Sequence, residues 1–177
     1  MATPGKSRKK AFHLANEINL VVEEVNEILN SKNKDRYFEG IAILHSFIED
    51  MLKWLVITQM LRNHSTNVPP PEEVRQINNY CHSFNFFSLL KIGLSVGLLD
   101  GKLFEKLSDI LAERNELVRQ YGLYIHNGKR QIFRKKLEKL SRVANVLVSI
   151  FNEQVEDIGI LDDSYFGNTM DLDFAMF

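Results

Sequence analysis

Cysteine is almost missing from this chain: Cys81 is alone among 177 residues. A lone cysteine excludes an intramolecular disulfide and a cysteine-rich zinc site, and nothing points to an oxidising compartment, so the cytoplasm is the expected location. Excess charge of one sign is missing too, with 22 Lys and Arg against 23 Asp and Glu. Wholesale electrostatic attachment to nucleic acid requires a strongly basic face, so any RNA contact must be local. Long apolar runs are interrupted by Lys53, Gln59 or Lys91 well before the roughly 18 residues of a membrane span. No membrane partner is expected. Lys6, Arg8, Lys9 and Lys10 are followed by His13, Asn16, Glu17 and Asn19 instead of an apolar stretch, which argues against a secretory signal.

Enzyme signatures are equally scarce. The chain has no phosphate-cradling glycine loop, no nucleophile elbow and no His-Glu-x-x-His. His13, His64 and His82 fall in no metal-ligand spacing. Neither a cofactor nor a metal is therefore expected, and conventional catalysis is disfavoured.

What the sequence does contain is helical periodicity. Hydrophobic residues make up 45% and charged residues 25%, a mix that suits one globular domain. From about Lys9 to Asn30, apolar residues recur at Phe12, Ile18, Val21, Val22, Val25, Ile28 and Leu29. A second run reaches about Arg62 with a stripe of Ile41, Leu44, Ile48, Met51, Leu52 and Leu55, and reads as a long, largely buried helix. Three prolines ending at Pro71 make a connector, after which Pro71-Glu-Glu opens a short helical segment. Ser83 reads as the N-cap of a helix from Phe84 to Val96 that Gly97 ends. Asp100 caps the next, Leu103 to about Tyr121, and these two pair antiparallel. Lys129 to Val155 supplies a closing helix. With no alternating strand pattern, the expectation is an all-α, irregular antiparallel bundle of about five helices. Its domain spans 9–156, between a basic disordered N-terminus (1–8) and a flexible acidic C-terminal tail (157–177).

That tail has five aspartates, no Lys or Arg, and aromatics at Tyr165, Phe166, Phe174 and Phe177. Termini are usually poorly ordered unless tied down. An acidic-aromatic segment also suits docking onto a basic, apolar groove, in cis or on a partner. Arg134, Lys135, Lys136 and Lys139 make a basic patch on the closing helix, by default a solvated face and otherwise a contact for phosphates or for the tail.

One helix carries chemistry. Leu103, Leu107, Ile110, Leu111, Leu117, Val118 and Tyr121 form its apolar stripe, and Arg114 falls inside it, nearly in line with Leu107 and Tyr121. A guanidinium on a core-facing line needs a carboxylate or a polar cleft. The plain reading is an internal ion pair with Glu49 or Asp50, or with the neighbours of Glu113. The segment Arg114-Asn115-Glu116-Leu117-Val118-Arg119-Gln120-Tyr121, however, resembles the motif helix of the HEPN superfamily of helical ribonucleases and related non-catalytic proteins. That motif is an Arg, usually followed by a polar residue, then four to six residues and a His. The HepT-like branch adds a Tyr two places later. Arg114, Asn115 and Tyr121 match, Val118 suits the place before the His, and Phe86 to Leu107 is similar to the preceding helix pair, including that of mannitol-operon-repressor-like proteins. The likeness covers roughly Tyr37 to Val155.

Arg119 departs from the motif by standing where the His should be. Metal-free RNA cleavage needs a base to take the 2′-hydroxyl proton and a cation to stabilise the phosphorane, and arginine supplies only the second. The resemblance therefore implies a phosphate-holding Arg114 and Arg119, with Arg134 and Lys135 as further phosphate candidates, and an RNA-associated or regulatory protein with a degenerate ribonuclease motif. It also implies a homodimer with two motifs facing one cleft, a toxin–antitoxin, defence or gene-regulatory setting, and a cognate antitoxin or nucleotidyltransferase as partner, with Tyr121 as a modification site. Two rivals remain: an active metal-independent endoribonuclease, and a helical transcriptional co-regulator or adaptor without RNA. His126 satisfies the looser spacing from Arg119, but Gly122 and the Asn127-Gly128 turn place it beyond the expected helix end. His45, one turn before Glu49, reads as a satisfied interior histidine.

Overall fold

The computed structural model describes residues 5–31, 36–64, 71–126 and 130–157. At residues 5–17, 64, 71, 73–75, 78, 120–126, 130–131 and 155–157 it describes the backbone alone. Among the described residues every element is helical: α1 Gly5–Asn30, α2 Tyr37–His64, α3 Pro71–His82, α4 Phe86–Ser95, α5 Gly101–His126 and α6 Arg130–Asp157. The all-α reading holds. The segment after the prolines is a full helix of 12 residues, which brings the helices among the described residues to six. Among the described residues, no helix is long and apolar enough to cross a membrane.

α2 forms the axis because it is apolar around most of its circumference. Leu44, Ile48, Leu52, Leu55 and Val56 are fully buried, and burying each such side chain contributes about 1.5–3 kcal/mol. It packs along α6 over most of its length and also meets α1, α3 and α4. Gly40 sits against Leu137 near the start of both helices, and Thr58 donates to Gln154 Oε1 at 2.5 Å near their ends, so α2 and α6 run parallel. α1 runs antiparallel to α2, with Ile28 beside Gly40 and Ile18 sharing a cleft with Met51 and Trp54. Arg36 fastens the two by pairing with Glu24, with Glu27 at 2.8 Å and with Glu39 at 3.1 Å.

The helix ends are set by local chemistry. Asn85, not Ser83, caps α4: its side-chain oxygen accepts the Ser88 N–H at 2.9 Å. The Ser83 hydroxyl instead donates backwards to the Tyr80 carbonyl at 2.7 Å. Gly97, at φ 77°, ends α4 as expected; the Leu98 N–H reaches back to the Gly93 carbonyl and the Gly97 N–H to that of Leu94, the Schellman arrangement that needs a left-handed residue. Asp100 caps α5 through the Leu103 N–H at 2.7 Å. α5 runs on to His126, five residues past the expected end. Gly122 costs only about 1 kcal/mol inside a helix, which is too little to stop one. α1 begins at Gly5, so Lys6 and Arg8 belong to its first turns.

Candidate functional site

The motif helix α5 packs on α4, which is much the shorter helix, and less extensively on α6. Its core-facing residues Leu107, Ile110 and Leu117 are buried. Val118, expected on that stripe, is 67% exposed.

Arg114 points inward, and its Nη1 donates to Glu49 Oε2 on α2 at 3.3 Å. Glu49 in turn pairs with Lys53 at 3.6 Å, and Lys53 with Asp50 at 3.0 Å. Next to Arg114, Glu113 turns toward α6, where Lys139 donates to it at 2.6 Å and Lys136 stands at 3.6 Å. Burial alone would raise the Glu113 carboxyl, but the Lys139 hydrogen bond and the charges of Lys136 and Lys139 outweigh it and hold the pKa below its ordinary value.

His45 completes this polar seam. It is buried at 7% exposure, and its pKa is pushed down to about 4, first by burial and then by the Arg114 and Lys136 charges, against a smaller opposing pull from Glu113. No hydrogen bond contributes to that balance. The residue is interior, as expected, and burial is the first cause that keeps it neutral, with the Arg114 guanidinium second. A neutral imidazole accepts a proton, and an arginine holds a phosphate. The seam between α2, α5 and α6 therefore brings both kinds of group together.

The other motif residues lie elsewhere. Arg119 is exposed, has no ion pair among the described residues, and stands about 140° around the helix from Arg114. Within one chain the two arginines do not share a pocket. Asn115 is exposed. Tyr121 and His126 belong to the backbone of α5, so His126 ends a helix instead of lying in a loop; their side chains lie outside the described residues. The basic patch is partly neutralised: Arg134 pairs with Glu138 at 3.0 Å, and Lys136 and Lys139 with Glu113, which leaves Lys135 exposed. Of the tail, Asp157 closes α6, and Tyr165, Phe166, Phe174 and Phe177 lie outside the described residues. Among the described residues no group of three or more His, Cys, Asp or Glu is placed to hold a metal ion.

Sequence reading anticipated Glu49 as a partner of Arg114 and His45 as an interior residue, but not the pairing of Lys53 with Glu49 or of Lys136 with Glu113. The signal for His45 was its spacing one turn from Glu49; its other neighbours come from helices distant in sequence. A separate cleft of about 530 Å³ opens between α1 and α2, lined by Ile18, Val21, Phe47, Met51 and Trp54, with His82 at its edge. No known protein family, no curated protein and no solved structure matches this chain.

Proposed function

We propose that this chain is a HEPN-like helical domain with a degenerate ribonuclease motif, which associates with RNA or a regulatory partner without cutting RNA. One observation carries the reading: the position that needs a proton-transferring imidazole holds Arg119, exposed and turned away from Arg114. An arginine stays protonated and binds charge. Assembly as a homodimer through α5 would place two motif helices at one cleft, and the half-covered distal face of α5, with Val118 outward, supports that arrangement. The setting we propose is cytoplasmic, in a toxin–antitoxin, defence or gene-regulatory system, with an antitoxin or nucleotidyltransferase as partner.

An active ribonuclease is the second reading, favoured by the neutral imidazole of His45 beside Arg114. The test compares wild type, Arg119→His, Arg114→Ala, His45→Ala and His126→Ala on one single-stranded RNA with chelator present. Loss of a general acid or base forfeits a factor of roughly 10²–10⁴, so the wild type should bind without measurable cleavage and Arg114→Ala should bind more weakly. Robust wild-type cleavage abolished by His45→Ala or His126→Ala would replace the first reading with the second. Binding that is absent in every variant would leave the adaptor without RNA.

A further inference from the structure

Among the described residues, the outer face of α4 is apolar and has no helix packed on it. Phe87, Lys91 and Leu94 stand at i, i+4 and i+7, and therefore on one line. Phe87 is 46% and Leu94 45% exposed. The Lys91 ammonium lies 4.5 Å from the centroid of the Phe87 ring. Tyr80, 54% exposed, extends the surface by standing edge-on to Phe84 at 4.6 Å. Lys91 is the one charged residue in α4.

A chain of amides connects this face to the end of α6. Gln154 Nε2 donates to Gln59 at 2.7 Å, Gln59 Nε2 to Asn63 at 2.9 Å, and Asn63 Nδ2 to the Val96 carbonyl at 3.1 Å. α6 ends at Asp157, one turn beyond Gln154, so the described part of α6 stops near the end where Gly97 terminates α4, and twenty residues follow it in the sequence. Those residues carry Asp162, Asp163, Asp171 and Asp173, no Lys or Arg, and Tyr165, Phe166, Phe174 and Phe177.

We propose that the acidic-aromatic segment 158–177 docks in cis on the α4 face, with its aromatic side chains over Phe87 and Leu94 and an aspartate against Lys91. Reach is no obstacle, because twenty residues extend to about 66 Å while the stripe from Phe87 to Leu94 is about 10 Å long. The rival basic surface is largely engaged already, because Arg134, Lys136 and Lys139 face carboxylates. Tethering raises the effective concentration to the order of millimolar, so a face of this size retains a segment that it would not hold in trans.

The test uses the full chain with a photo-crosslinking benzoylphenylalanine at the exposed position Leu94, irradiated at low micromolar concentration and mapped by mass spectrometry. Expected are crosslinks within one chain to residues 158–177, reduced about tenfold when Lys91→Glu is added. Hydrogen exchange reads the same contact without the label: amides in 158–177 should be protected in wild type and lose about tenfold protection in Lys91→Glu, while α2 keeps its own. Crosslinks that join two chains would assign the face to a second copy and overturn the proposal. Crosslinks to other residues, or unprotected amides in 158–177, would overturn it as well.

Discussion

Arg114 and Glu49, 65 positions apart in sequence, meet at 3.3 Å and tie the motif helix to the central one. The Arg114 side chain is 43% exposed, so the pair is worth little to folding. A double-mutant cycle on Arg114→Ala and Glu49→Ala should return a coupling of about 0.2–1 kcal/mol by urea unfolding. If the proposed association with RNA holds, it separates the two residues. Removing the carboxylate in Glu49→Gln releases the guanidinium for phosphate, so affinity should rise a few-fold, whereas Arg114→Ala should weaken binding and reduce the salt slope by about 1. Fluorescence anisotropy across a salt series measures both, and an unchanged slope in Arg114→Ala would remove Arg114 from the phosphate contact.

His45 makes stability depend on pH. Its folded pKa of about 4 lies below its ordinary 6.5, so the unfolded chain binds the extra proton first. Stability is therefore complete above about pH 6.5 and is lost as the pH falls through about 4, by at most about 3 kcal/mol. Glu113, held below its ordinary value, adds to the loss at lower pH because its carboxylate contributes only while ionised. Urea midpoints taken at intervals between about pH 7.5 and 4.5 should fall, and His45→Gln should flatten that fall. An equal slope in His45→Gln would show that the imidazole is not the group responsible.

The core was legible in the sequence because Ile41, Leu44, Ile48, Met51, Leu52 and Leu55 repeat with helical spacing, and all six are buried. Gly97 and Gly122 look alike in the sequence, yet only Gly97 takes a left-handed conformation; the difference lies in the turn that packs Leu98 and Leu99 back onto Gly93. Ser83 and Asn85 are both good caps two residues apart, and the choice between them falls to which backbone N–H is left open. The candidate site was half legible. A charged residue on an apolar stripe announced the Arg114 ion pair, but the depressed His45 pKa depends on side chains from α5 and α6 that a local pattern does not bring near α2.

Ser108 is the one residue among those described with a buried side-chain oxygen that lacks a hydrogen-bond partner. Leaving a hydroxyl unpaired in this way costs about 1–3 kcal/mol, and serine is also a poorer helix former than alanine. Ser108→Ala should therefore raise the urea midpoint, with a gain of about 0.5–1.5 kcal/mol after allowing for relaxation around the site. A loss of stability would mean that the hydroxyl is bonded in solution, for example to an ordered water.

Gly40 sits where α1, α2 and α6 converge. A Cβ built there meets Leu137 Cδ1 at 3.0 Å, Leu137 Cδ2 at 3.1 Å and Ile28 Cγ2 at 3.3 Å. Alanine gains about 1 kcal/mol of helix propensity and asks the Leu137 methyls, which end a flexible side chain, to move by a few tenths of an ångström. The two effects nearly cancel, and Gly40→Ala should stay within about 1 kcal/mol of wild type. Valine gains less propensity and adds two methyl groups that the fully buried Leu137 and Ile28 do not accommodate without separating the helices. Overpacking of this kind costs about 1–3 kcal/mol or more. Gly40→Val should therefore lower the unfolding midpoint sharply while Gly40→Ala does not, and equal midpoints for the two variants would show that the helices cross farther apart than these distances require.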